Sequence, residues 1–209
     1  MEKTYDCVIL GDGDFPSHPV SLGILRDAKF LCCCDGAGLK AIQRGIMPDA
    51  IVGDGDSLPE DFKAKYADII HIVDEQEYND LTKNTRFCIE RGFRKIAYLG
   101  CTGKREDHTL GNISLMKFYE REFCIEPVMI TDYGTFLTAQ GDCEFESFAH
   151  QQVSIFNLDC TKLDSEGLKW AAYPYKEWWQ GTLNEAISKS FRIFADGSYI
   201  IYLTHEPKM

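Results

Sequence analysis

Acidic residues and glycines come together at five places in this chain, each just after a short apolar run. The first three are Gly11-Asp12-Gly13-Asp14, Asp35-Gly36-Ala37-Gly38 and Gly53-Asp54-Gly55-Asp56-Ser57. The fourth holds Asp74, Glu75, Gln76, Asn79 and Asp80, and the fifth reads Gly100-Cys101-Thr102-Gly103-Lys104-Arg105-Glu106-Asp107-His108. Carboxylates gathered at one edge repel unless a cation sits among them, and hard oxygen ligands on small turns suit Mg²⁺ when it also holds a phosphate. Asp54 and Asp56 are two apart, so an extended segment points both carboxylates the same way. Asp80 at a helix start would make a third ligand. The same three residues also suit turns and an N-cap, where Asp is favoured. In the fifth segment a glycine turn leads through Lys104 and Arg105 to Asp107-His108 at a helix start. Backbone N–H groups, the helix dipole and a guanidinium all attract phosphate there. Lys104 and Arg105 equally fit a solvated loop. His108 is open between a helix-start contact, a satisfied partly buried histidine and a ligand contact.

Such residues need a frame, and the apolar pattern supplies one. Runs at 7–10, 30–34, 50–52, 69–73, 96–99 and 128–130 read as strands, with helices expected at 21–29, 39–44, 60–66, 80–91 and 109–120. In the fourth helix Leu81, Thr85, Cys88 and Ile89 fall on one face, with Lys83, Arg86 and Glu90 outside it. Continuously apolar strands alternating with helices imply an α/β domain with a parallel, Rossmann-like sheet. In open sheets of this kind ligands bind beyond the carboxyl ends of the strands, where all five acidic segments lie. After about residue 133 the texture changes to short β-rich runs at 135–139, 143–148, 153–156, 168–173, 190–194 and 199–203. These predict a smaller antiparallel β-sandwich, giving domains at 1–132 and 133–209. So small a β domain is expected to dock on the first domain or on a second subunit.

Composition narrows the function. The 209 residues carry 22 Lys+Arg against 33 Asp+Glu, a net charge of −11, and 44% are hydrophobic. An acidic surface without a basic cluster argues against nucleic-acid and membrane partners and favours a small molecule. No apolar stretch approaches the roughly 18 residues that span a bilayer. The nine cysteines are odd in number, three are consecutive at Cys32, Cys33 and Cys34, and no signal pattern precedes them, so they read as reduced cytosolic thiols in a buried strand.

Taken in order, four motifs resemble those of the thiamine pyrophosphokinase family. They are Asp35-Gly36; Pro48-Asp49 leading into Gly53-Asp54-Gly55-Asp56-Ser57; Gln76 with Asp80-Leu81-Thr82-Lys83; and Gly103-x-Arg105-x-Asp107-His108-Thr109-Leu110-x-Asn112. Gly167-Leu168-Lys169-Trp170 and Gly181-Thr182-Leu183-Asn184-Glu185 look like the family's thiamine-side segments. The resemblance implies pyrophosphoryl transfer from ATP to thiamine with release of AMP. Asp54, Asp56 and Asp80 would engage Mg²⁺, while Asp35, Gln76, Arg105 and Asp107 line the nucleotide and phosphate path with Gly36, Gly103, Lys104 and His108. Trp170 and Asn184 would meet thiamine, a flat cation suited to stacking and cation–π attraction. The resemblance also implies a cytoplasmic homodimer whose sites are shared between subunits. Asp80 or Asp107 would take the proton of the attacking hydroxyl.

Four positions depart from the family pattern. Lys104 stands where a second glycine is usual, Leu183 where a serine is, and Gly55 where an aromatic is common, while the Asp35 motif reads Asp-Gly-Ala-Gly-Leu. Two other readings share the fold: transfer to another small alcohol such as a pterin or a thiamine analogue, and a nucleotide-binding module without turnover.

Overall fold

A computed structural model describes residues 4–208. The chain divides after Thr131 into two compact units. In the first unit six parallel strands, β1 (Cys7–Leu10), β2 (Leu31–Cys34), β3 (Ala50–Gly53), β4 (Ile70–Ile72), β5 (Lys95–Leu99) and β6 (Glu126–Ile130), lie in the order β6-β5-β1-β2-β3-β4. Every residue of β1, β2 and β3 is buried, which is why these strands read as unbroken apolar runs. The helices are α1 (Pro19–Arg26), α2 (Asp35–Gln43), α3 (Glu60–Lys65), α4 (Asp80–Glu90) and α5 (Glu106–Phe123). From β1 the chain builds outward through β2, β3 and β4, and β5 and β6 add on the other flank. The crevice at the ends of β1 and β5 is therefore where the strand order reverses, the usual ligand position in such sheets.

Three helices start earlier than periodicity predicts, α1 by two residues, at Pro19. α2 begins at Asp35 itself, four residues ahead of the expected 39, so Asp35-Gly36-Ala37-Gly38 is helix rather than turn. Glycines are poor helix formers, and packing decides here. A Cβ on Gly38 would come within 2.6 Å of Ile51, so only glycine lets α2 lie this close to β3. α5 likewise begins at Glu106 rather than 109. Cys32, Cys33 and Cys34 are buried in β2, and burial pushes their thiols above the ordinary value, as small apolar residues in a dry strand require.

The second unit holds two antiparallel sheets. One runs β7 (Gly134–Gln140), β13 (Ser198–Pro207), β9 (Gln151–Asn157), β11 (Asn184–Glu185); the other runs β8 (Cys143–Glu146), β12 (Ser190–Ala195), β10 (Leu163–Glu166). Val153, Ile155, Tyr199 and Ile201 of the first sheet share one core with Phe145, Leu163, Phe191 and Ile193 of the second, a sandwich. The strand expected at 168–173 does not form. Only a single bridge, Leu168 to Ala186, remains of it, and the strand lies earlier, at Leu163–Glu166. Among the described residues no helix is long and apolar enough to cross a membrane.

Candidate active site

The acidic rim is built by the residues that end β2 and β3 and begin α4. Asp35 opens α2 and is 4% exposed, with its carboxylate lying over Gly53, where any Cβ would collide with Oδ1. Its Oδ2 accepts the Gly55 N–H at 2.7 Å, while Oδ1 is buried without a hydrogen-bond partner. A buried carboxylate oxygen left unpaired costs free energy unless a cation or water reaches it. Burial first, and then the charges of Asp80 and Asp54, push the Asp35 carboxyl up to about 6, against the Gly55 hydrogen bond that lowers it.

Asp54 and Asp80, two of the three residues expected at the cation, thus act on the buried Asp35 carboxyl. The segment after β3 is not extended. Gly55 has φ +78°, and Asp54 Oδ1 accepts the Asp56 N–H at 3.1 Å, so the chain turns and leaves Asp56 exposed. A side chain at Gly55 would be strained at that φ and would meet Ile72 at 2.7 Å, which accounts for glycine where the family has an aromatic. Among the described residues no three Asp, Glu, His or Cys side chains form a ready-made ligand set. The orphaned Asp35 Oδ1 is itself a hard oxygen donor of the kind a divalent cation takes.

Asp80 is not the N-cap of α4. Asn79 is, accepting from Thr82 N at 3.0 Å and Thr82 Oγ1 at 2.8 Å, and Asp80 stands at the first helical position. Lys83, expected on the outer face, is buried, and its Nζ lies 3.4 Å from Asp80 Oδ1. Beside it the fully buried Asn84 donates to the carbonyls of Val52 and Asp80, both at 2.8 Å, and its Oδ1 lies 3.0 Å from Cys32 Sγ. One amide thus ties the start of α4 to β2 and β3. Periodicity misses both residues because all five residues from Leu81 to Thr85 are buried, leaving no outward face between them.

At the end of β5, Arg105 caps α5 and grips Asp107 through both carboxylate oxygens, at 3.1 and 2.5 Å, with both side chains exposed. The guanidinium holds Asp107 below the ordinary carboxylate range, so Asp107 is a poor proton acceptor. His108 is exposed and gives its N–H to Asp107 Oδ1; Gln76 is exposed in the loop before α4. Gly103 has no room for a side chain because the Asp14 carboxylate lies against it. Gly36, the second residue of α2, has the Asp12 carboxylate 3.2 Å from where its Cβ would be.

In the second unit Trp170 is half exposed, not a core tryptophan, and the Lys169 ammonium lies 4.9 Å from its ring centroid. Asn184 is buried and spends its amide on Trp170: Oδ1 accepts the Trp170 N–H at 3.2 Å and Nδ2 donates to the Trp170 carbonyl at 2.8 Å. It positions Trp170 rather than facing solvent, and it takes the backbone groups that a strand at 168–173 would have paired. The buried Glu185 carboxylate holds His150 Nδ1 at 2.8 Å and Lys169 Nζ at 3.2 Å, and these two contacts keep it below its ordinary value.

Two family profiles match this chain in order. "Thiamin pyrophosphokinase, catalytic domain" matches residues 23–126, and "Thiamin pyrophosphokinase, substrate-binding domain" matches residues 134–202. The chain belongs to the thiamin pyrophosphokinase family. Thiamin pyrophosphokinase 1 of Caenorhabditis elegans is 32% identical over 115 residues, covering 50% of this chain; the match spans 46% of that relative's length. Among solved structures, thiamine pyrophosphokinase from Bacillus subtilis superposes with TM-score 0.78 at 21% identity, covering 95% of this chain and 98% of that one. Thiamin pyrophosphokinase from Candida albicans gives 0.77 at 18% identity, covering 96% and 90%. At these identities the solved structures establish the shared fold, a mixed α/β unit followed by an antiparallel one.

Proposed function

We propose that this family member is a thiamine diphosphokinase, moving a pyrophosphoryl group from ATP to the hydroxyl of thiamine and releasing AMP. The observation that carries the reading is the buried, unpartnered Asp35 Oδ1 facing the charges of Asp54 and Asp80 at the strand ends. Asp35, Asp54 and Asp80 would hold the cation, taken as Mg²⁺, with Asp56 at the exposed side of the same turn. When bound, that cation neutralises charge on the polyphosphate, the main requirement of phosphoryl-type transfer. Lys83 holds Asp80 in place from within the helix, and Arg105 presents planar donors toward the phosphate path. Trp170 offers its exposed face to the thiazolium and pyrimidine rings. A cytoplasmic setting is supported by nine free cysteines, most of them buried.

Incubating the purified protein with ATP, Mg²⁺ and thiamine tests the reaction: AMP and thiamine diphosphate in equal amounts are expected. AMP without thiamine diphosphate, or neither, overturns it. A homodimer with shared sites also belongs to this reading, supported by the motif resemblance; a single-chain mass by sedimentation at assay concentration would remove it.

Trp170→Ala provides a narrower check. Stacking on a flat cation is worth about 0.5–2 kcal/mol, so KM for thiamine is expected to rise a few-fold to about 30-fold while KM for ATP stays put. Because the ring is half exposed, the melting temperature should hold. Equal losses for both substrates, or a collapsed melt, would assign Trp170 to packing instead.

A further inference from the structure

The loop after β5 is tied to the first unit by Lys104, whose Nζ lies 3.3 Å from Asp12 Oδ2. The loop between β4 and α4, which carries Gln76 and ends at Asp80, is tied by a residue outside every family motif. Arg86, in the second turn of α4, lays its guanidinium over the Tyr78 ring, 4.0 Å from the centroid, and brings Nη1 to 3.5 Å from Glu75 Oε2. The other Glu75 oxygen, Oε1, accepts the Tyr78 N–H at 2.8 Å. Glu75, Tyr78 and Arg86 thus close a ring of contacts across the two ends of a four-residue turn. Between those ends Gln76 and Glu77 are exposed, while Glu75 and Tyr78 are half-buried. On its far side the Arg86 guanidinium lies 6.0 Å from the Phe123 ring centroid, at the end of α5.

The start of α4 is held without Arg86. Asn79 Oδ1 takes the Thr82 N–H and hydroxyl, Thr82 Oγ1 lies 2.7 Å from the Tyr119 hydroxyl, and Asn79 Nδ2 reaches Asn112 Oδ1 on α5 at 3.4 Å. Asp80 therefore keeps its place by other contacts, and the shape of 75–78 is what Arg86 adds. An ion pair this open to solvent contributes little to global stability. Stacked on an aromatic ring as well, the same guanidinium removes freedom from the turn before any ligand arrives.

We propose that Arg86 is a positioning residue for the nucleotide: through Glu75 and Tyr78 it holds the turn in the shape that presents Gln76 to the donor. The role rests on the proposed function for the contact between Gln76 and ATP; the closure of the turn requires only Arg86, Glu75 and Tyr78.

Arg86→Met, Arg86→Lys and Glu75→Gln, each compared with the wild type by hydrogen exchange and steady-state kinetics, test this. In Arg86→Met the Tyr78 amide is expected to exchange about ten-fold faster, because Glu75 loses the partner that steadies its carboxylate, while the amides of α4 beyond Thr82 keep their protection. KM for ATP should rise about ten-fold, the cost of ordering roughly one residue of backbone, with kcat, KM for thiamine and the melting temperature holding. Arg86→Lys keeps the charge beside Glu75 and loses the planar stack, so it should recover part of the affinity. Adding Glu75→Gln to Arg86→Met should change little further, since both act on one turn. An unchanged Tyr78 amide, a KM for ATP within about two-fold of wild type, or a fall in kcat and melting temperature together overturns the role. Calorimetric titration with Mg²⁺-ATP keeps it apart from the proposed function. A ten-fold loss of ATP affinity in Arg86→Met, in a protein that makes no thiamine diphosphate, removes the enzyme and leaves the positioning role; thiamine diphosphate formation with unchanged ATP affinity in the variant does the reverse.

Discussion

Asp35→Asn is expected to lower thiamine diphosphate formation on the order of a thousand-fold and, in the absence of divalent cation, to make the protein more resistant to heat at pH 7.5. Both effects come from one oxygen. In the folded protein the Asp35 carboxyl titrates near 6, against an ordinary 3.8, so between those values the native state holds a proton that the unfolded chain has released. Its stabilising contribution is full below about pH 4 and is lost as pH rises through about 6, after which the ionised group weighs against folding. Asn keeps an oxygen for the Gly55 N–H and carries no charge, so it should recover on the order of 1–2 kcal/mol, or several degrees of melting temperature, at pH 7.5 and nothing at pH 4. Adding Mg²⁺ should raise the melting temperature of the wild type and leave that of Asp35→Asn unmoved. Near wild-type turnover at limiting Mg²⁺, or a variant that melts lower at pH 7.5, would break the assignment.

Lys83→Met should cut kcat by about a hundred-fold without loss of stability, the second large effect. An ammonium buried to this extent carries a desolvation penalty of several kcal/mol, and an ion pair at 3.4 Å recovers it only in part. Methionine fills a similar volume without that penalty. Removing one partner of a buried pair is usually costly because the other charge is stranded, but Asp80 remains 43% exposed at its side chain and keeps its water. What is lost is the anchor that holds the Asp80 carboxylate toward the cation site. Kinetics at saturating ATP and thiamine, together with urea unfolding, check this. A kcat within two-fold of wild type would leave Lys83 without a functional part, and a fall in unfolding midpoint would make it a structural residue.

Much of this was legible in the residues, and the exceptions share a cause. β1 runs over the predicted 7–10, and the other strands of the first unit fall within two residues of their apolar runs, because a buried parallel strand writes its boundaries in side-chain type. The acidic segments were legible as strand-end residues for the same topological reason. Which carboxylates face one another was not, since it depends on φ at Gly55 and on Asp35 lying over Gly53, neither of which periodicity records. Lys83 lies inside, against the pattern, because an amphipathic pattern presumes an outside and the stretch from Leu81 to Thr85 has none. Residues 168–173 look like a strand by composition, yet Asn184, fourteen residues on from Trp170, takes the hydrogen bonds that would have made them one.

If the second unit takes a flat aromatic guest, as proposed, that last arrangement bears on how it would do so. A single amide secures both polar groups of the Trp170 peptide, so the indole is left with only its own two side-chain torsions to settle. The conformational entropy of the segment is surrendered when the sandwich folds, not when a ligand arrives, and little remains to be lost on binding. The Lys169 ammonium lies 4.9 Å from the ring centroid and 3.2 Å from Glu185, so in the proposed reading a cation on that face would have to displace it. A cationic guest there would exchange one cation for another on the same ring face, at the cost of meeting a like charge until Glu185 alone holds Lys169.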